Sequence, residues 1–260
     1  MDADAGTPVS TMISKRLGAI GIALVLALSA AHAAADEVRI AVATNFAAAM
    51  SALIERFDQL SEHKVLASFG STGSHYAQIR NGAPYDIFFA ADDERPKLLE
   101  EQGLTVPGSR FRYAVGRLAL WSPQPGYVDE HGRVLETGNF RFLAVASPEL
   151  APYGAAARDV LVARGLWDAL QSRIVRGQDI GQAYQFVATG NAELGFVAWA
   201  QIARHAPEIP GSYWLVPESL HEPIAQEAVL LEDSPGARAF AAFVQSPEAR
   251  EIIRGHGYGP

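Results

Sequence analysis

The run Glu37-Val38-Arg39-Ile40-Ala41-Val42-Ala43-Thr44-Asn45-Phe46 decides how the rest of the chain is read. Glu37 to Ala43 alternates polar and apolar residues and then stays apolar, as a strand does when it enters a sheet interior. From Phe46 onward, Met50, Leu53, Ile54, Phe57 and Leu60 recur at spacings of three and four, the stripe of a helix packed on a sheet. A strand therefore becomes a helix across a few small polar residues. The same joint recurs at Gly70-Ser71-Thr72-Gly73, Ala151-Pro152-Tyr153-Gly154 and Gln178-Asp179-Ile180-Gly181. Each is a predicted helix N-terminus, where backbone N–H groups lack internal partners and the macrodipole is positive. Several such ends aimed at one point make an anion site that needs no Lys or Arg.

Working outward, Lys64 to Phe69 reads as a second strand, and Tyr76 and Ile79 mark a short helix stopped at Gly82. Asp86 to Ala91 is a nearly continuous apolar run, predicted as a strand buried on both faces. Arg95 to Gln102 is helical and ends at Gly103. Strands and helices that alternate in this way imply a parallel sheet covered by helices. A second set follows. Its predicted strands are Val115 to Trp121, Phe142 to Ala146, Ile174-Val175 and Leu194 to Ala198, with extended segments at Trp214 to Val216 and Ala225 to Leu231. Its predicted helices are Tyr153 to Arg164, Gln182 to Val187 and Trp199 to His205, and Ser234-Pro235 and Ser246-Pro247-Glu248 start two more. No repeat or long linker separates the sets, so strands are expected to cross between two lobes that enclose a cleft.

Residues 1–35 read as a signal peptide. Lys15 and Arg16 precede the apolar run Leu17 to Leu28, and Ala31-His32-Ala33 has the small-x-small form of a cleavage site. The run is shorter than the roughly 20 residues a spanning helix needs. A buried core helix is the competing reading. Met12 is an alternative start, and cleavage after Ala33 or after Ala35 fits equally well. The chain has no Cys, which excludes disulfides, thiolate metal sites and lipidation of an N-terminal Cys. The formal charge of −8 survives cleavage, because Asp2, Asp4, Lys15 and Arg16 cancel. An acidic chain argues against nucleic acid as a partner. It also means that an anion must be held by local dipoles and hydrogen bonds.

Other chemistries find little support. Ser71 fails as the nucleophile of a Gly-x-Ser-x-Gly elbow because Phe69 stands where the first Gly is needed. His63, His75, His131, His205, His221 and His256 include no pair at i, i+4. Asp92-Asp93-Glu94 is explained by acids at the start of the following helix. No Gly-rich loop ends in Gly-Lys-Ser/Thr, so ATP hydrolysis would belong to a partner.

Taken in order, Val42-Ala43-Thr44-Asn45-Phe46, Gly70-Ser71-Thr72-Gly73, Asn81-Gly82-Ala83-Pro84-Tyr85-Asp86, Ala151-Pro152-Tyr153-Gly154 and Leu194-Gly195-Phe196-Val197 resemble the periplasmic molybdate-binding proteins of ABC importers. The resemblance spans essentially the whole chain beyond the signal peptide. It implies an α/β, bilobed periplasmic solute-binding fold of type II, with two parallel-rich α/β domains joined by two crossover strands. Lobe I is then 36–115 plus 224–260, and lobe II is 116–223. It further implies a periplasmic monomer that is not an enzyme. Such a protein captures molybdate, and tungstate, and delivers it to an ABC permease. No cofactor or nucleic acid takes part, and the molybdenum is held only as its oxyanion without direct protein–metal ligands.

By the same resemblance the ligand set is Thr44, Asn45, Ser71, Thr72, Tyr153 and Ile180, the last through its backbone N–H alone. The chain follows the variant with Thr-Asn at the first joint and Ala-Pro-Tyr-Gly at the third. Where the other variant places a late Tyr, this chain has Ala198. Each residue also has a purely structural reading: Thr44 and Asn45 as helix caps, Ser71 and Thr72 as a turn, Tyr153 as packing. Asp179 is expected to cap its helix, with its charge turned away from an oxyanion. Another tetrahedral oxyanion such as sulfate, or an enzyme on the same bilobed fold, are the alternative readings, and the sequence does not separate molybdate from tungstate.

Overall fold

The computed structural model describes Met1, residues 35–203, residue 205 and residues 207–259. The chain divides into two compact units, Met1–Ala35 and Asp36–Pro260. The expected signal peptide lies outside the described residues apart from its ends, and the fold below is that of the second unit. Among the described residues no helix is long and apolar enough to cross a membrane.

The second unit contains two five-stranded sheets. The first is built from β1 (Glu37–Ala43), β2 (Lys64–Gly70), β3 (Ile87–Phe89), β4 (Phe111–Gly116) and β10 (Ile224–Leu230), in the order β2-β1-β3-β10-β4. The second holds β5 (Leu118–Ser122), β6 (Leu143–Ala146), β7 (Ile174–Gly177), β8 (Leu194–Ala198) and β9 (Ser212–Leu215), in the order β7-β6-β8-β5-β9. The layouts match. In each sheet three parallel strands meet an antiparallel strand that has arrived from the other sheet: β10 beside β3, and β5 beside β8. The molecule is thus a bilobed α/β fold whose core splits accordingly, one cluster around Ile40, Phe46 and Phe240 and another around Leu118, Leu143 and Phe196.

The helices are α1 (Ala47–Asp58), α2 (Thr72–Arg80), α3 (Glu94–Glu101), α4 (Val134–Thr137), α5 (Pro152–Ala163), α6 (Trp167–Leu170), α7 (Ile180–Ala188), α8 (Trp199–Ala203), α9 (Pro235–Val244) and α10 (Pro247–Gly255). Two sequence expectations need correction. Val115 to Trp121 is not one strand: β4 ends at Gly116 in the first sheet, and β5 begins at Leu118 in the second. An apolar run has the same periodicity whether it stays in one sheet or changes sheets, so the break at Arg117 is invisible in the pattern. The return crossing, Val216 to Pro223, is a loop with a single 3-10 turn at Glu218–Leu220 rather than a continuous strand.

Register places the joints. Ala43 pairs with Gly70 at the carboxyl ends of β1 and β2, and Ala146 pairs with Gly177 at those of β6 and β7. Helices that leave paired strand ends start side by side, at the edge where open α/β sheets bind ligands. At the start of α5, a Cβ on Gly154 would stand 2.3 Å from the carbonyl oxygen of Ala146, so the helix seats on β6 only with glycine there.

Candidate functional site

Four helix starts converge on one small cavity of about 10 Å³. They are the 3-10 turn Thr44–Phe46 that leads into α1, and the first turns of α2, α5 and α7. Thr44, Asn45, Ser71, Thr72, Tyr153 and Ile180 all line it, so the structure brings the whole predicted residue set together. Asn45, Ser71, Thr72, Tyr153 and Ile180 are each less than 5% exposed. Among the described residues no Lys, Arg or His lines the cavity, and Asp179 is the one acidic residue that does. A larger space of about 170 Å³ shares Thr44 and Asn45 with it, but of the two the smaller one receives all four helix starts.

The polar groups differ in how they are engaged. Thr72 is the first residue of α2, and its hydroxyl oxygen accepts from the Ala91 N–H at 3.0 Å, which leaves the hydroxyl hydrogen to donate elsewhere. Ser71 is the cap of α2: its oxygen accepts from Ser74 N–H at 3.2 Å and lies 2.7 Å from the Ser74 hydroxyl. Thr44 donates its hydroxyl hydrogen to Asp179 Oδ1 at 3.0 Å and accepts from Gly181 N–H at 3.2 Å. That hydrogen is committed to the facing lobe. Asp179 caps α7 as expected, taking Gln182 N–H at 2.9 Å on the same Oδ1. Its carboxylate stays at the cavity edge, with that oxygen turned toward Thr44 and the helix rather than left bare. The cap reading of Thr44 and Asn45 fails, because no side chain caps the helical turn they begin. Their side chains are drawn instead into contacts distant in sequence.

Further bonds join the lobes around the cavity. Gly73 N–H donates to Leu150 O at 2.8 Å, and Arg95 Nη2 donates to Glu149 O at 2.8 Å. The cavity is therefore bounded by both lobes, and its lining comes from each.

The family follows from comparison with known proteins. The model of the bacterial extracellular solute-binding protein family matches residues 38–259. The chain belongs to that family. A molybdate-binding protein ModA of Azotobacter vinelandii is 50% identical over 250 residues, covering 95% of this chain and 99% of the relative. The ModA of Rhodobacter capsulatus is 46% identical over 246 residues, covering 94% and 96%. The solved periplasmic molybdate-binding protein of Azotobacter vinelandii superimposes with a TM-score of 0.83 at 44% identity, over 86% of this chain and 99% of that one. The fold is thus the bilobed fold of periplasmic solute-binding proteins.

Beneath the cavity this solute-binding protein carries a buried polar hub that the sequence reading missed. Gln226, fully buried on β10, accepts on Oε1 from Asn45 Nδ2 at 2.7 Å, and the Tyr113 hydroxyl lies 3.1 Å from that oxygen and 2.9 Å from the Ala90 carbonyl, which share its one hydrogen. Its Nε2 donates to the Tyr153 hydroxyl at 3.3 Å. Tyr258, near the C-terminus, donates to the Asn45 carbonyl at 2.6 Å. Phe46 packs edge-on to Tyr113 and Tyr258, with ring centroids 4.7 and 5.0 Å away, and holds both rings in place. One signal was present: Gln226 is a neutral polar residue inside the apolar run Ile224 to Leu230. Burial pushes the Tyr153 phenol well above its ordinary range, against the lowering bonds from Gln226 and Asn45. Burial also raises Tyr113 and Tyr258. All three phenols therefore keep their protons and remain donors at neutral pH. Behind Gly70, burial lowers the buried His75, which favours its neutral form.

Proposed function

We propose that this protein captures molybdate, with tungstate as a second ligand, in the cavity between its lobes and delivers it to an ABC permease. The observation that carries this reading is the convergence of four helix starts on a cavity between the lobes whose described lining residues include no basic side chain. In it the backbone N–H groups of Asn45, Thr72, Tyr153 and Ile180 point at the anion, each an orphan donor at a positive dipole end. The hydroxyls of Thr72 and Tyr153 add side-chain donors. Ser71 serves mainly as the cap of α2. Thr44 acts as a clasp to Asp179 and supplies the anion with backbone only. The choice of molybdate among oxyanions comes from the relatives, which carry that name across nearly their whole length.

A cavity of donors suits a fully deprotonated dianion. A protonated oxyanion such as hydrogen phosphate brings a donor of its own, and a donor facing donors costs about 1–3 kcal/mol. Sulfate shares the charge but is smaller, so donors spaced for molybdate meet it at longer range. The lobes, 36–115 with 224–260 and 116–223, close on the anion as a monomer in the periplasm and present a joint surface to the permease. Calorimetric titration with molybdate, tungstate, sulfate and phosphate tests the reading. Tight one-to-one binding of the first two and weak binding of the others is expected. Equal affinity for sulfate would reduce the protein to a general oxyanion binder.

A further inference from the structure

We infer that Gln226 is a positioning residue that fixes the Tyr153 hydroxyl as a hydrogen-bond donor into the oxyanion cavity. Geometry sets the direction of the bonds that run from Tyr258 through Asn45 and Gln226 to Tyr153, starting from a group that can only accept. The Asn45 backbone carbonyl lies 2.6 Å from the Tyr258 hydroxyl, so Tyr258 spends its hydrogen there. The Tyr258 oxygen can then only accept from the Asn45 amide 3.2 Å away, which makes that end of the amide its NH2. The same NH2 lies 2.7 Å from Gln226, so the Gln226 atom facing it is the carbonyl oxygen. The Tyr113 hydroxyl lies 3.1 Å from that oxygen and 2.9 Å from the Ala90 carbonyl, and these two acceptors share its one hydrogen. The far end of Gln226 must then be its NH2, and it donates to the Tyr153 oxygen at 3.3 Å. Tyr153 receives a hydrogen from below, so its own hydrogen points elsewhere. Among the described residues no protein acceptor takes it, and Tyr153 lines the cavity.

The placement of Gln226 is built into the fold. β10 shifts register against β4 between Gln226 and Glu227, an irregularity of the kind that re-aims side chains. Gln226 turns inward, while Glu227 reaches Arg110 Nη1 at 2.6 Å. The hub also sits where the chain changes lobes. A Cβ on Gly116 would come within 2.1 Å of the Tyr153 hydroxyl and 2.8 Å of Gln226 Nε2, so those two groups occupy the space that any side chain there would need. One amide thus ties a donor of lobe I, Asn45, to a donor of lobe II, Tyr153, at the first crossing.

This rests on the proposed function, in that the cavity holds an oxyanion. A double-mutant cycle with molybdate as probe tests it. Tyr153→Phe is expected to weaken binding about ten- to a hundredfold, the value of a hydrogen bond to a charged group. Gln226→Met, which keeps the unbranched shape, should weaken binding when Tyr153 is present and change it less than about twofold in the Tyr153→Phe background. Losses that simply add would overturn the inference, since a merely structural Gln226 acts without regard to the phenol. The second measurement needs no ligand. The infrared C–O band of the Tyr153 phenol, assigned from the difference against Tyr153→Phe, should move in Gln226→Met and in Gln226→Leu as the phenol loses its donated bond. A band unmoved in both overturns the donor assignment. Wild-type protein that ignores molybdate would sink the functional reading alone, while the band comparison still decides the polarity of Tyr153.

Discussion

Thr72→Val removes one hydroxyl and keeps the shape; the structure gives that hydroxyl one task, and the proposed function gives it a second. Its oxygen accepts the Ala91 N–H at 3.0 Å in a site 1% exposed. Without it that buried donor is unsatisfied, which costs about 1–3 kcal/mol whether or not ligand is present. For a protein of this size each kcal/mol lowers Tm by about 2–4 °C, so the unliganded variant should melt about 2–12 °C lower. The hydroxyl hydrogen is free for the anion, and a bond to a charged acceptor contributes about 1.5–3 kcal/mol. Affinity for molybdate should therefore fall about ten- to a hundredfold on top of the stability loss. Ligand stabilisation varies as RT ln(1 + [L]/Kd), so the molybdate-induced rise in Tm shrinks by the same free energy. Thermal unfolding with and without molybdate, paired with calorimetry, separates the two tasks, and Thr72→Ser, which keeps the hydroxyl, should stay close to wild type in both. A lower unliganded Tm with wild-type affinity would show that the hydroxyl serves Ala91 alone and strike its side chain from the site. Lost affinity with an unchanged unliganded Tm would refute the structural task instead.

Two further outcomes are expected. Binding through buried neutral donors should change little between low and moderate salt, because screening acts chiefly on exposed charge; calorimetry across ionic strength that shows a loss of several orders of magnitude would point to Lys or Arg ligands instead. His75 binds a proton less readily folded than unfolded, so stability should fall as pH drops below about 6.5, the ordinary His value, and the loss should level off below the folded value. Denaturation midpoints between pH 7 and pH 5 should show a shallower fall for His75→Gln, and equal slopes would remove His75 from the acid response.

The strand-to-helix joints were legible because each writes its own chemistry into four consecutive residues. Gly70-Ser71-Thr72-Gly73 contains the cap of α2, and Asp179 caps where a cap was expected. What stayed hidden was whatever a joint does with a residue far away. Thr44 and Asn45 have the composition of caps, yet Thr44 bonds across 135 positions to Asp179 and Asn45 across 181 to Gln226. Local propensity is silent on partners at that separation, and tertiary contacts outrank a bond worth about 1 kcal/mol. The break between β4 and β5 was hidden for a related reason: apolar residues fit the interior of either sheet. The short helices Val134–Thr137 and Trp167–Leu170 were missed because a single turn is too brief to display a period.

The absence of a basic side chain from the cavity bears on release as much as on capture. A Lys or Arg would hold an oxyanion as well in an open cleft as in a closed one, because a point charge attracts from any direction. Orphan N–H groups and hydroxyls act only at contact and along a line. Here they sit on separate helix starts in two lobes, so the full set exists only while the lobes meet. Of the bonds named as joining them, Thr44 to Asp179, Gly181 to Thr44, Gly73 to Leu150, Arg95 to the Glu149 carbonyl and Gln226 to Tyr153, none is an ion pair. Separating the lobes removes the clasp and half the donors in one motion. In the proposed function a permease then has no ion pair to break. It needs only to favour the open form, and an anion that has lost half its donors sits on a protein of net charge −8, which gives it no reason to stay.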